Sequence, residues 1–398
     1  MKTRRVTASI DADPYSGLVH VHATSCYDFL VSLRAAFNPR TYEATRIWAA
    51  EARRRLSPEG RERGRFFFQG PDTSLGYGIT RLVAGLAEDA HPRELIDRIR
   101  AEDARGLALT MLDSGESDGQ NLAVFERAMS GSVSNAALDR ALRGASAASV
   151  RRSRRVLAEP QAIQVELIAL LEEYLESTFE SEIEHVRESC RRGAARAKEL
   201  LSVVPTAAAI EQLTGGYTVG TNLALTSVTL APSAFIHPYM ASRVDERTGQ
   251  ALIVFGVPSD ALLRFDTVPI DPGLVRAAKA LGDQARLKVL RLLGEQPMTG
   301  LELAATLGVT PPTLHHHLHQ LRVAGLVRQE RAKGGMQYAI RRDSALGILD
   351  AMERLIVGDE PTTIRSSRAA GGRPTSRANQ GETQDGPRAP RTGRQGSS

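Results

Sequence analysis

The sequence predicts a mainly α-helical protein with small β elements, an α+β chain, and three observations predict it. Helix-spaced apolar patterns introduced by proline or by capping serine and threonine recur along the 398 residues, while strand-like alternation is confined to short stretches. The longest periodic run places apolar or small residues at 168, 171, 175, 179, 183, 186, 190, 194, 197 and 201, a step of about 3.67 residues that marks one helical face. Charge is divided unevenly: residues 272–358 carry +5 and residues 361–398 another +5, against about −3 for residues 1–271. That split suits a polyanionic partner for the C-terminal third, with a solvated basic surface as the plainer alternative.

Taken in order, residues 4–10 and 17–23 read as two short strands joined by turn residues at Asp13–Gly17. His20 and His22 lie two apart on the second strand and share one face, an exposed polar face rather than a metal pair because no third ligand is near in sequence. Ser25 is the expected cap of a helix over Cys26–Phe37, and a second helix covers Thr41–Leu56 with the sole tryptophan, Trp48. Residues 60–72, with Phe66, Phe67 and Phe68, read as a loop entering the core. Short helices follow over Leu75–Glu88, Pro92–Ile99 and Glu102–Leu112, then a break at Gly115–Gly119. Residues 131–160 read as a connection or a weakly amphipathic helix, its arginine cluster (Arg151, Arg152, Arg154, Arg155) being a solvated run or a DNA contact. The periodic run makes Ala162–Ser202 one long helix with Cys190 on its apolar face. Gly215-Gly216 is a turn, and Leu223–Leu230, Phe235–Tyr239 and Ala251–Val257 are strands of a small sheet. Residues 1–265 are thus expected to form one regulatory or dimerisation domain. They hold no phosphate loop, nucleotide-binding glycine turn, metalloprotease helix or nucleophile elbow, so no catalytic residue, metal or cofactor is assigned.

The chemistry-bearing stretch is TGLELAATLGVTPPTLHHHLHQLRVAGLV, residues 299–327. Asp283 caps a preceding helix with Leu287, Leu290, Leu292 and Leu293 as its stripe. Thr299 caps a helix with Leu301, Leu303, Ala304 and Leu307 facing the core. Gly308 supplies a left-handed turn, Thr310 the next cap and Pro311 the first helical position. Leu314, Leu318 and Leu321 pack one face, which leaves Thr313, His315, His316, His319 and Gln320 as short polar groups suited to base edges. His317 lies beside the leucine face. A metal shared by His315 and His319 is a second reading that lacks a third ligand; a solvated face is a third. Leu326–Arg331 and Met336–Arg341 alternate around Lys333-Gly334-Gly335, a hairpin whose tip carries Arg331 and Lys333 toward phosphate or the minor groove. A last helix, Ser344–Ile356, has more apolar surface than a small domain needs, which points to a second subunit. Together these define a winged helix-turn-helix domain over 271–358, and the residues from 359 to 398 read as a disordered basic tail.

The run ALGDQARLKVLRLL, the helix pair above and the Ala-Gly-Leu-Val entry to a wing resemble the ArsR/SmtB family of bacterial winged-helix repressors over about residues 272–357. The resemblance implies a homodimer joined by the first and last helices of the domain, double-stranded DNA with a two-fold operator as partner, and Thr310, Pro311, Thr313, His315 and His316 at or near the DNA. Metal-sensing members carry cysteines on the helix that here reads GLELAATL, or Asp/His ligands on the final helix; with no Cys from 272 onward and no His in 341–358, those two sites are absent. The long N-terminal region, LAPSAFIHP above all, is similar to an uncharacterised domain fused ahead of ArsR-like modules in some larger regulators. The expected function is a cytoplasmic, sequence-specific transcriptional regulator, a repressor, answering an unidentified small-molecule effector. The alternatives are an N-terminal enzyme or ligand-binding domain controlled by the winged helix, and a winged helix used for protein contact. No apolar run approaches a membrane span, the N-terminus lacks a secretory core, and two isolated cysteines, Cys26 and Cys190, suit a reducing compartment.

Overall fold

Helix α1 (Ser25–Phe37) organises the N-terminal half. Its sequence SCYDFLVSLRAAF is buried at every residue except Arg34, so it is a core helix surrounded on all sides rather than one with a single apolar face. Thr24, one residue ahead of the expected Ser25, is its cap, with Oγ1 accepting from Cys26 N–H. The structure, a computed structural model, describes residues 13–357 apart from 14, 40, 43–44, 71–74, 114–119, 144, 221–222, 259–270 and 333–334. The expected strand at 4–10, the break at 115–119, most of the 263–272 link, the hairpin tip and the tail lie outside the described residues.

Around α1 pack α2 (Arg46–Arg55), α3 (Pro58–Phe68), α4 (Leu75–Gly78), α5 (Thr80–Val83), α6 (Pro92–Ala101) and α7 (Ala104–Leu112). Helix α3 replaces the expected loop: Ser57 caps it, Pro58 opens it, and Phe67 and Phe68 enter the core from its last turn. Helices α8 (Gln120–Met129), α9 (Asn135–Ala141) and α10 (Ala147–Ala158) close over a small separate cluster that includes Phe125 and Leu157. The predicted long helix is two, α11 (Pro160–Ser177) and α12 (Ile183–Val203). Thr178, at φ −141°, breaks it, and a 3₁₀ turn over Phe179–Glu182 drives Phe179 between Phe29 and Tyr174, with ring centroids 5.1 and 6.1 Å away. The periodic face survives the break, because the turn keeps Phe179 buried in line with Leu175 and Ile183.

After α13 (Thr206–Thr214) come β2 (Tyr217–Val219), β3 (Ser227–Ser233), β4 (Met240–Asp245) and β5 (Gln250–Gly256); β1 is Val19–Val21. One sheet has the order β1-β3-β5-β4, the first three strands parallel and β4 antiparallel at the edge. Helix α12 lies on β3 at Gly193, where a Cβ would collide with Pro232 and Val257. The expected strand over Phe235–Tyr239 does not form. Asp28 of α1 takes the N–H groups of Ala234 (3.2 Å) and Phe235 (3.1 Å) and the Ser233 hydroxyl (2.5 Å), which leaves no ladder bond for them to make. Burial pushes the Asp28 carboxyl up, against the pull of these donors and of the Cys190 thiol at 3.2 Å. His22, expected to share an exposed face with His20, is buried between Tyr27 and the Leu86 carbonyl.

The C-terminal third contains α14 (Pro272–Leu281), α15 (Gln284–Glu295), β6 (Met298–Thr299), α16 (Gly300–Leu307), α17 (Pro311–Val323), β7 (Val327–Ala332), β8 (Gly335–Ile340) and α18 (Arg342–Val357). Two core assignments change. Leu287 is 49% and Leu301 79% exposed; Leu293 is buried as expected, and Val289 rather than Leu287 is buried with it. The wing hairpin β7–β8 belongs to a second four-stranded sheet, β2-β7-β8-β6. Strand β2 runs parallel to β7 with Tyr217 opposite Gln329 and Val219 opposite Arg331. The wing's outer edge is therefore paired with a strand from the preceding region instead of facing solvent.

Candidate nucleic-acid interface

Local sequence dictates the geometry of the helix pair. Thr299 and Glu302 close a capping box at the start of α16, with the Thr299 N–H 2.7 Å from the Glu302 carboxylate. Gly308 ends that helix at φ 65°, a left-handed conformation that a Cβ disfavours. Thr310 then caps α17, its hydroxyl 3.4 Å from Thr313 N–H and 2.8 Å from the Thr313 hydroxyl. Leu314, Leu318 and Leu321 are buried with Leu303 and Ala304 of α16, fixing which side of α17 turns outward.

The predicted site residues divide into three groups. Thr310, Pro311, Thr313, His315 and His316 are exposed together on the first two turns of α17. These turns carry short hydroxyls and two imidazoles on one open surface, with donors and acceptors for base edges and phosphate. His319 and Gln320 lie further along and are only half exposed. The His319 ring stacks on Tyr239, centroids 5.1 Å apart and planes at 13°. Burial, with the positive surroundings of Arg322, His315, His316 and Arg34, pushes its pKa down to about 3, so it is neutral here. Arg331 is half buried, and its Nη2 donates to Glu246 Oε1 at 3.0 Å; Lys333 lies outside the described residues.

Three residues that touch this surface lie outside the set the sequence predicts. Tyr239 and Glu246 flank β4, far from α17 in sequence. Arg322, on the leucine side of α17, is buried with Nη1 3.4 Å from the Thr214 carbonyl, and desolvation pulls its guanidinium down to about 10. Its place one residue after Leu321 was the available hint. His317 is half buried beside the leucine face, with Nδ1 3.9 Å from the Asp283 carboxylate. Among the described residues no three His, Cys, Asp or Glu side chains stand close enough to hold a metal. Nor is any helix long and apolar enough to cross a membrane.

Residues 283–329 match the family described as "Bacterial regulatory protein, arsR family". The match spans α15 through the start of β7, and it supports a DNA-binding transcription regulator in general. No curated protein and no solved structure matches the chain.

Proposed function

We propose that the chain is a sequence-specific transcriptional repressor that binds double-stranded DNA as a homodimer in the cytoplasm, with no catalytic activity of its own. The first two turns of α17 enter the major groove, and the wing lies along the adjacent backbone. The observation that carries this reading is the joint exposure of Thr310, Pro311, Thr313, His315 and His316 on a capped helix within the family-matched segment. Dimerisation is supported by apolar side chains left in solvent on the first and last helices of the domain: Val275 on α14, and Leu346 (61% exposed) and Leu349 (55%) on α18. We assign residues 1–265 as a regulatory domain that answers an effector, residues 271–358 as the DNA-binding domain and 359–398 as a basic tail that adds nonspecific attraction.

His315→Ala separates base reading from charge attraction. Its loss should weaken binding to a selected duplex by about tenfold or more while leaving random-sequence duplex binding nearly unchanged, as measured by fluorescence anisotropy. Equal weakening on both duplexes would remove His315 from base readout.

A further inference from the structure

The edge strand β4 touches both DNA-reading elements, one at each end. Tyr239, immediately before it, stacks on His319 of α17. Glu246, immediately after it, holds Arg331 of the wing. Strand β4 spans six residues, about 20 Å at strand rise, enough to bridge helix and wing. Both contacted residues point to nucleic acid by their chemistry, and each is engaged by a group that a duplex would have to displace. Glu246 offers Arg331 a carboxylate in the place of a phosphate, and Tyr239 offers His319 an aromatic face in place of the groove.

The backbone reinforces the hold. Gly220 N–H donates to Arg331 O at 2.6 Å and Gln329 N–H to Gly216 O at 2.6 Å, on the edge where β2 joins β7. The β4 ends are themselves anchored to the helical body. Before Tyr239, Asp28 grips Ser233, Ala234 and Phe235, and Trp48 packs on Phe235 at 4.4 Å between centroids. After it, Asp245 and Arg247 join Arg81 of α5 and Asp113 at the end of α7, with Arg81 2.6 Å and Arg247 3.1 Å from the Asp113 carboxylate. The exposed residues of α17, Thr313, His315 and His316, stay free of these contacts.

We infer that β4 and its two flanking residues form a clamp that withholds His319 and Arg331 from DNA, so that this structure is a low-affinity state from which the N-terminal region must release the helix and wing. The inference rests on the DNA-binding reading above. Displacement of Glu246 frees one guanidinium for one phosphate, and displacement of Tyr239 returns one imidazole to the outer surface of α17. A movement of α5 or α7 would pull the Asp245–Arg247 end of the clamp directly, since the same carboxylate, Asp113, holds Arg81 and Arg247.

The test uses the full chain and a random-sequence duplex of about 30 base pairs, with affinity measured from about 50 to 200 mM KCl. Glu246→Gln should tighten binding about two- to fivefold and steepen the salt slope by about 0.9, one more phosphate neutralised. Tyr239→Ala should tighten binding without altering the net charge. The decisive comparison is Glu246→Gln in an Arg331→Ala background, where the gain and the steeper slope should vanish. Persistence of the gain there would mean simple removal of a negative charge and would overturn the clamp. So would unchanged or weaker binding in both single variants that melt at the wild-type temperature. Wild-type duplex binding that ignores Glu246 and Tyr239 would overturn the clamp alone. Absence of duplex binding in every variant would overturn the DNA-binding reading with it.

Discussion

His319 and His237 are the titratable residues most altered by the fold near the candidate interface. Burial, with Arg276 beside it, pushes His237 down to about 4, and His319 is down to about 3. Both are neutral in the folded chain, whereas in the unfolded chain they regain the ordinary value near 6.5. The unfolded state therefore binds more protons below that value. Their contribution to stability is complete above about pH 6.5 and declines as pH falls toward 4. His319→Phe keeps an aromatic ring on Tyr239 and removes the titration, so its thermal midpoint should fall less than that of the wild type between pH 7 and 5. Identical slopes in calorimetry would mean that His319 titrates normally and is not held against Tyr239. The same residue shows the limit of reading a helix from its own period. The spacing of Leu314, Leu318 and Leu321 puts His319 on the outward side, and only a tyrosine some eighty residues earlier, brought in by a loop pinned to Asp28, makes that side partly interior.

At the scale of elements, local chemistry decides most of the winged-helix segment. Gly308 holds φ 65° with open space where a Cβ would stand, so Gly308→Ala meets backbone strain without a clash and should lower stability by about 1 kcal/mol, measured by denaturant unfolding. A neutral or stabilising effect would contradict the left-handed turn. Caps, turn glycine, leucine face and both wing strands were legible because each is set by residues within a few positions. Elements set by distant partners were not. The Phe66–Phe68 run reads as a loop until Ser57 and Pro58 are recognised as a helix start. Thr178 breaks a helix whose apolar period runs on without interruption. Strand β2 is three residues long and exists because β7 offers an edge, and β4 is polar because one side of this edge strand meets the arginine–aspartate cluster. The same distinction separates the candidate site residues. Thr310, Pro311, Thr313, His315 and His316 are exposed as their local pattern implies, whereas Arg331 is engaged by Glu246, which no local pattern announces.

At the scale of the molecule, the winged helix is joined to the preceding region by a shared sheet, a buried arginine and two side-chain contacts at the ends of one strand. On the proposed reading, such coupling would give the preceding region a physical route to α17, because a state that releases β4 differs in contacts that DNA itself would replace. The proposed dimer would use other surfaces. A glutamate at Leu349, on the solvent side of α18, should shift the mass found by light scattering from two chains to one and weaken binding to a symmetric duplex. A mass unchanged by Leu349→Glu would move the dimer contact elsewhere. The central claim, that α17 reads a specific DNA sequence, is met most directly by selecting duplexes from a random pool with the full chain and weighing the selected complex. The account predicts enrichment of a two-fold symmetric site bound by two chains, lost with His315→Ala. A pool that stays random through repeated selection at moderate salt would contradict it.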